Sequence, residues 1–195
     1  MDGLEWMGSA MRAARDRLDA AAHNLANAGT DGYRTAAARV ELGRTGLRVV
    51  VQPVAEQGAV RTTGRPFDVA LLGPGAFRVG DGTTRNGAFT RDREGWIVDD
   101  RGRRLHGACG PLRVGEHATI WTDGTVRDGR RVVDRIPLPH GTRVLAGALE
   151  ASTVNPVGET LAILTAQRAF ETAQKTMLAI DATREKAAND VARLR

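Results

Sequence analysis

Lysine is nearly absent from this chain. Lys175 and Lys186 are the only two, so the net charge of +5 is carried by arginine. The arginines are scattered from Arg12 to Arg195 and form no dense run, which argues for solvated charge rather than a nucleic-acid footprint. Aromatic residues are scarce at 4%, although a hydrophobic content of 42% suffices for a core. That balance predicts a modest core with apolar surface left over for partners. Cys109 is the single cysteine, which excludes an internal disulfide. Set among Gly107, Ala108, Gly110 and Pro111, it reads as a small packing residue rather than a nucleophile. The four histidines (His23, His106, His117, His140) are too far apart in sequence to form a metal-ligand pair. No run reaches the ~18–20 apolar residues of a membrane span. Residues 1–17 interleave charges with short apolar stretches and lack the apolar segment of a secretory signal. If the protein leaves the cytoplasm, the expected route reads no cleaved peptide.

Chemistry is equally thin. Gly73-Pro74-Gly75 opens like a dinucleotide loop, but Arg78 stands where the third glycine belongs and a strand follows instead of a helix. Asp92, Glu94, Asp99 and Asp100 are interleaved with Arg91, Arg93 and Arg101, the pattern of a charge-compensated hairpin rim. Arg101, Arg103 and Arg104 read as a solvated turn. Ser9 and Ser152 sit in no nucleophile elbow. Trp6, Tyr33, Trp96 and Trp121 are too dispersed for a base-stacking platform. The sequence therefore predicts no enzyme, no cofactor, no metal site and no nucleic-acid partner.

What is present is periodicity at both ends. Leu4, Met7, Met11, Ala14, Leu18, Ala21, Leu25 and Ala28 alternate in steps of three and four, an a/d seam for packing lengthwise against other helices. The helix should close at Gly29, in the left-handed C-terminal position. A second seam runs through Ile163, Ala166, Phe170, Ala173, Met177, Ile180, Arg184, Ala187, Val191 and Leu194, with only Arg184 polar. Asn155 is its expected N-cap, with Pro156 at the first helical position. At 1.5 Å per residue this second helix would be ~55–60 Å long, more than its own domain could cover.

Between the helices the pattern turns to β. Strand-like runs at Phe67–Leu71, Ala76–Val79, Gly95–Val98 and Ala118–Trp121 alternate with the turn pairs Asp81-Gly82, Asn86-Gly87, Asp123-Gly124 and Asp128-Gly129. The expected fold is a mainly β centre, a small antiparallel sheet or barrel, flanked by N- and C-terminal helices that pair as a coiled coil. In chain order the segments are 1–34, 35–149 and 150–195.

Three collinear stretches carry a resemblance. Ala22-His23-Asn24-Leu25-Ala26-Asn27-Ala28-Gly29-Thr30-Asp31-Gly32-Tyr33-Arg34 resembles the signature A-N-N-L-A-N-x-x-T-x-G-(Y/F)-(K/R) of flagellar rod and hook proteins, with His23 for the first asparagine. Leu149-Glu150-Ala151-Ser152-Thr153-Val154-Asn155-Pro156-Val157 is similar to that family's L-E-x-S-N-V-x-x-V, and Ala166–Glu171 to its A-Q-R-x-(Y/F)-E. In the middle, Thr63–Leu71 resembles T-G-x-P-L-D-x-A-I. Gly87–Asp92 resembles a Y-T-R-x-G region with Phe89 as the aromatic, and Asp123–Val126 a D-G-x-V.

The resemblance implies a structural subunit of the bacterial flagellar basal-body rod, most like a proximal rod member. A distal rod or hook-type axial protein is the alternative, and a coiled-coil adaptor a more distant one. It also implies that terminal helices bundle in an axial polymer that transmits torque and walls the export channel. The implied partners are copies of itself, other rod proteins and the flagellar export apparatus, with no integral membrane segment. The candidate assembly interface is Leu4, Met7, Met11, Leu18, Asn24, Leu25, Asn27, Ile163, Phe170, Met177, Ile180, Val191 and Leu194. An exposed apolar stripe is costly in a monomer, so both ends are expected to fray in the free subunit and order on assembly.

Overall fold

The computed structural model describes residues 3–44 and 46–193, with side chains given up to Asn189. Among the described residues, two helices flank thirteen short strands in chain order. Helix α1 spans Gly3–Ala26 and helix α2 spans Pro156–Arg193. Every strand pairing between them is antiparallel. The chain forms two compact units, and these are not consecutive segments. One holds α1, residues 35–54 and α2. The other holds Asn27–Arg34 and Ala55–Thr153.

In the helical unit, α2 begins as the sequence predicts. The Asn155 side-chain oxygen accepts from the Val157 and Gly158 amides, and Pro156 opens the helix. The end of α1 differs. The helix stops at Ala26 and Gly29 has no left-handed conformation; Asn27 turns the chain instead, its carbonyl accepting from Thr30 N at 3.0 Å. The left-handed residue is Gly32, with φ of 70°. After it come β1 (Ala36–Gly43) and β2 (Gly46–Pro53), a two-stranded ribbon in which Val40 faces Val49 and Leu42 faces Leu47. A lone ribbon of this kind is marginal in water, and here α1 packs against it. The ribbon therefore sides with the helices rather than with the other strands.

The β unit contains β3 (Val60–Thr62), β4 (Val69–Leu72), β5 (Phe77–Val79), β6 (Gly82–Thr84), β7 (Thr90–Arg91) and β8 (Ile97–Val98). It continues with β9 (Ala118–Ile120), β10 (Thr125–Asp128), β11 (Arg131–Arg135), β12 (Arg143–Ala146) and β13 (Ala148–Glu150). They form one three-stranded ladder, β11-β10-β9, and the two-stranded ladders β12-β4, β13-β3, β5-β6 and β7-β8. Alternate residues of these strands converge on one core built from Val69, Leu71, Phe77, Phe89, Ile97, Leu105, Val126 and their neighbours. Phe77 and Phe89 meet edge to face at 5.2 Å. Few aromatics suffice because the remainder is packed with branched aliphatics.

One of the four expected turn pairs serves as a hairpin corner: Gly124 (φ 83°) closes β9–β10. Asp128-Gly129 is shifted by one, because Asp128 still pairs with Arg131 and the loop is Gly129 (φ 59°) and Arg130. Asp81-Gly82 is shifted by one: Gly80 and Asp81 form the loop while Gly82 already pairs with Val79. Asn86-Gly87 is no hairpin. Gly87 lies so close to β4 that a Cβ there would stand 1.6 Å from the Val69 carbonyl oxygen.

The acidic rim is a set of local turns. Asp92 Oδ1 accepts from the Glu94 and Trp96 amides, and Asp99 Oδ1 from those of Arg101 and Arg103. Burial alone would raise the Asp99 carboxyl, but bonds from the Arg103 amide and guanidinium and the Arg101 amide hold it below its ordinary value. Arg104 lies over the Trp96 ring at 4.3 Å rather than free in solvent. Cys109 is exposed rather than packed, on a loop whose backbone amide donates to the Asp134 carboxylate at 3.0 Å.

Candidate assembly interface

Helices α1 and α2 lie antiparallel. Gly3 sits beside Ile180, and Asn24 bonds Glu159. The two helices pack against each other, and the seam residues that are fully buried are small: Ala14 and Ala21 of α1 and Ala166 and Ala173 of α2, with Ala13 buried beside them. Alanine at these positions lets two helices approach closely, but it covers little of what stands beside it. The larger seam residues are accordingly only half-buried. This holds for Leu4, Met7, Met11, Leu18 and Leu25 on α1, and for Ile163, Phe170, Met177 and Ile180 on α2. Residues 181–189 of α2 are all exposed, Arg184 and Ala187 included. The Val191 side chain and Leu194 lie outside what the structure describes. On the opposite face of α2, a stripe the heptad reading did not single out, Val157 (70% exposed), Leu161 (60%) and Leu164 also face solvent.

Asn24 differs from the other candidates, because it is buried and its amide is used within the unit. It donates to the Ala36 carbonyl and to Glu159 Oε1, and accepts from Ala36 N at 2.9 Å. The signature asparagine thus fixes α1 to the first residue of the ribbon and the first turn of α2. Ser9 does the same near the other end, its hydroxyl accepting from Leu47 N and donating to the Trp6 carbonyl. Asn24→Ala strands the Ala36 amide and should destabilise the helical unit by about 1–3 kcal/mol in denaturant melts followed by helix content. Asn27 belongs to the β unit, where its side-chain oxygen accepts from the Thr30 hydroxyl.

A second constellation lies inside the β unit, and neither of its members was among the candidates. Arg85 and Glu150 form an ion pair with side chains only 7% and 1% exposed. Arg85 donates to Glu150 Oε2 from Nε (2.9 Å) and Nη2 (2.6 Å). It also donates to the carbonyls of Leu71, Gly73 and Gly75. Glu150 Oε1 accepts from the Gly58 amide, and the Glu150 carbonyl from Gly32 N at 2.6 Å. Asp68 is likewise fully buried and held by Arg65 through two bonds. The sequence did hold a signal for Arg85. The spacing T-R-x-G is met by Thr84-Arg85-Asn86-Gly87, whereas Thr90-Arg91 is followed by Asp92 and Arg93. The match to that motif belongs six residues earlier than the Thr90-Arg91 reading placed it.

Among the described residues no group of His, Cys, Asp and Glu side chains could hold a metal ion, and no helix is long and apolar enough to cross a membrane. What the geometry offers is surface for protein contact.

The family description "Flagella basal body rod protein" matches residues 4–34, and "Flagellar basal body rod FlgEFG protein C-terminal" matches residues 145–190. The flagellar basal-body rod protein FlgF of Escherichia coli K12 is 30% identical over 89% of this chain and 92% of its own length. FlgF of Caulobacter vibrioides is 29% identical over the whole chain and 98% of its own length. The flagellar hook protein FlgE of Brucella abortus is 35% identical, but over 51% of this chain and 29% of the hook protein. The chain belongs to the family of flagellar basal-body rod proteins and is a structural subunit of that class.

Proposed function

We propose that the subunit polymerises through its terminal helices, with α1 and α2 pairing as a coiled coil whose half-covered seam is completed by other copies and by other rod proteins. The supporting observation is the exposure pattern: alanines fill the contact within the subunit while Leu, Met, Ile and Phe beside them stay half open. Burying the rest recovers ~25 cal/mol per Å² of apolar surface, a gain available only on assembly. The resulting column transmits torque and lines the export channel, and the subunit reaches it through the flagellar export apparatus. Its role is structural, with no catalytic step. The similarity to the hook protein favours a hook-type axial role as a second reading, but it extends over far less of that protein than the rod matches do.

Hydrogen exchange tests the reading. In the dilute monomer, amides of 157–189 should exchange faster than those of the β core, fastest beyond Ile180, and slow on polymerisation. Full protection of both helices in the monomer would count against it.

A further inference from the structure

We infer that Arg85 is a positioning residue for assembly: it holds together the two signature segments, Asn27–Arg34 and Glu150–Thr153, from which the terminal helices depart. The inference rests on the reading that those helices join the copies.

Arg85 reaches both segments at once. Its guanidinium grips Glu150 and the carbonyls of Leu71, Gly73 and Gly75. Its backbone carbonyl lies against the other segment, where a Cβ on residue 32 would stand 2.4 Å from it. The two segments are also tied directly, through Gly32 N to the Glu150 carbonyl and Thr153 N to the Tyr33 carbonyl.

Stability alone gives no reason for this arrangement. A buried ion pair gives up its hydration, and apolar residues of similar volume often stabilise a core as well or better. Direction is what apolar packing cannot supply. The planar guanidinium presents donors in fixed directions, and here they meet one carboxylate and three carbonyls. Lysine could keep the charge but could not span those acceptors. The network therefore sets where the chain leaves the β unit towards β1 and towards α2, and a polymer repeats any error in that geometry at every copy.

The test is Arg85→Lys in the full chain, read by residue-resolved amide exchange and thermal melting of the monomer and by polymerisation. The Gly32 and Gly58 amides should exchange about tenfold or more faster, while those of Ile97, Leu105 and Val126 stay as in the parent chain. Polymerisation should fall to about a tenth or less of the parent rate, a loss of one factor of ten in the step that joins copies. Unchanged exchange at Gly32 and Gly58 overturns the inference, as does equal acceleration throughout the core, which marks a merely structural role. Loosened segments with normal polymerisation overturn it too. If Arg85→Lys does not fold, Glu150→Gln is judged by the same contrast between Gly32 and the core amides. A parent chain that never polymerises sinks the assembly reading instead, and the exchange measurements still decide whether Arg85 holds the two segments.

Discussion

Phe170→Asp yields a subunit whose β unit melts as before and which no longer polymerises. Phe170 lies on α2 between the buried Ala166 and Ala173, with its ring half covered. A carboxylate there must either give up hydration or hold the seam open. In a polymer the cost recurs at every joint. A penalty of only about 2–3 kcal/mol per contact raises the concentration needed for growth roughly 30–150-fold. Leu18→Asp on α1 should act alike, being half-buried on the facing seam. The β unit has its own core, to which neither residue contributes, so its thermal transition serves as the internal control. Sedimentation of polymer against monomer gives the readout. Normal assembly by either variant would mean that the seams are ordinary core.

Gly32→Ala attacks the β unit instead. The residue has φ of 70°, and an added Cβ would meet the Arg85 carbonyl carbon and oxygen at 2.4 Å and the Asn86 nitrogen at 2.6 Å. All three are backbone atoms, so no side chain can swing away. A left-handed alanine costs about 1 kcal/mol or more by itself, and displacing the backbone brings the loss to roughly 3 kcal/mol. For a unit of this size that is a fall in Tm of roughly 10 °C or more. Gly29→Ala, three residues earlier in the same loop, is the control: an added Cβ there meets nothing within 4 Å and φ is not positive. Equal melting temperatures for the two variants would refute the steric account.

The long-range plan was legible because periodicity survives in a single sequence. Steps of three and four at both ends gave two helices, Asn155-Pro156 marked the start of one, and four strand runs marked the β centre. What escaped depends on contacts that periodicity does not encode. The ribbon's alternation was present in Arg39-Val40-Glu41-Leu42, but its attachment to the helical unit is decided by hydrogen bonds from Asn24 and Ser9. Gly29 and Gly32 both suit a helix end, and the turn built on Asn27 chose the later one. Arg85 was obscured by its neighbour in pattern, Arg91, which donates to the Val114 carbonyl instead. A glycine two residues on was the available discriminator, because Gly87 must let β4 pass at a distance no side chain allows.

Beside α1, which begins at Gly3 next to Ile180, α2 runs on through thirteen further residues to Arg193, an overhang of ~20 Å. In the proposed column each newcomer covers the overhang before it and presents its own, so the tip is always cohesive. Such a stack carries no internal count, and its height must be set from outside, by the supply of subunits or by a differently shaped chain that accepts the last overhang and offers none.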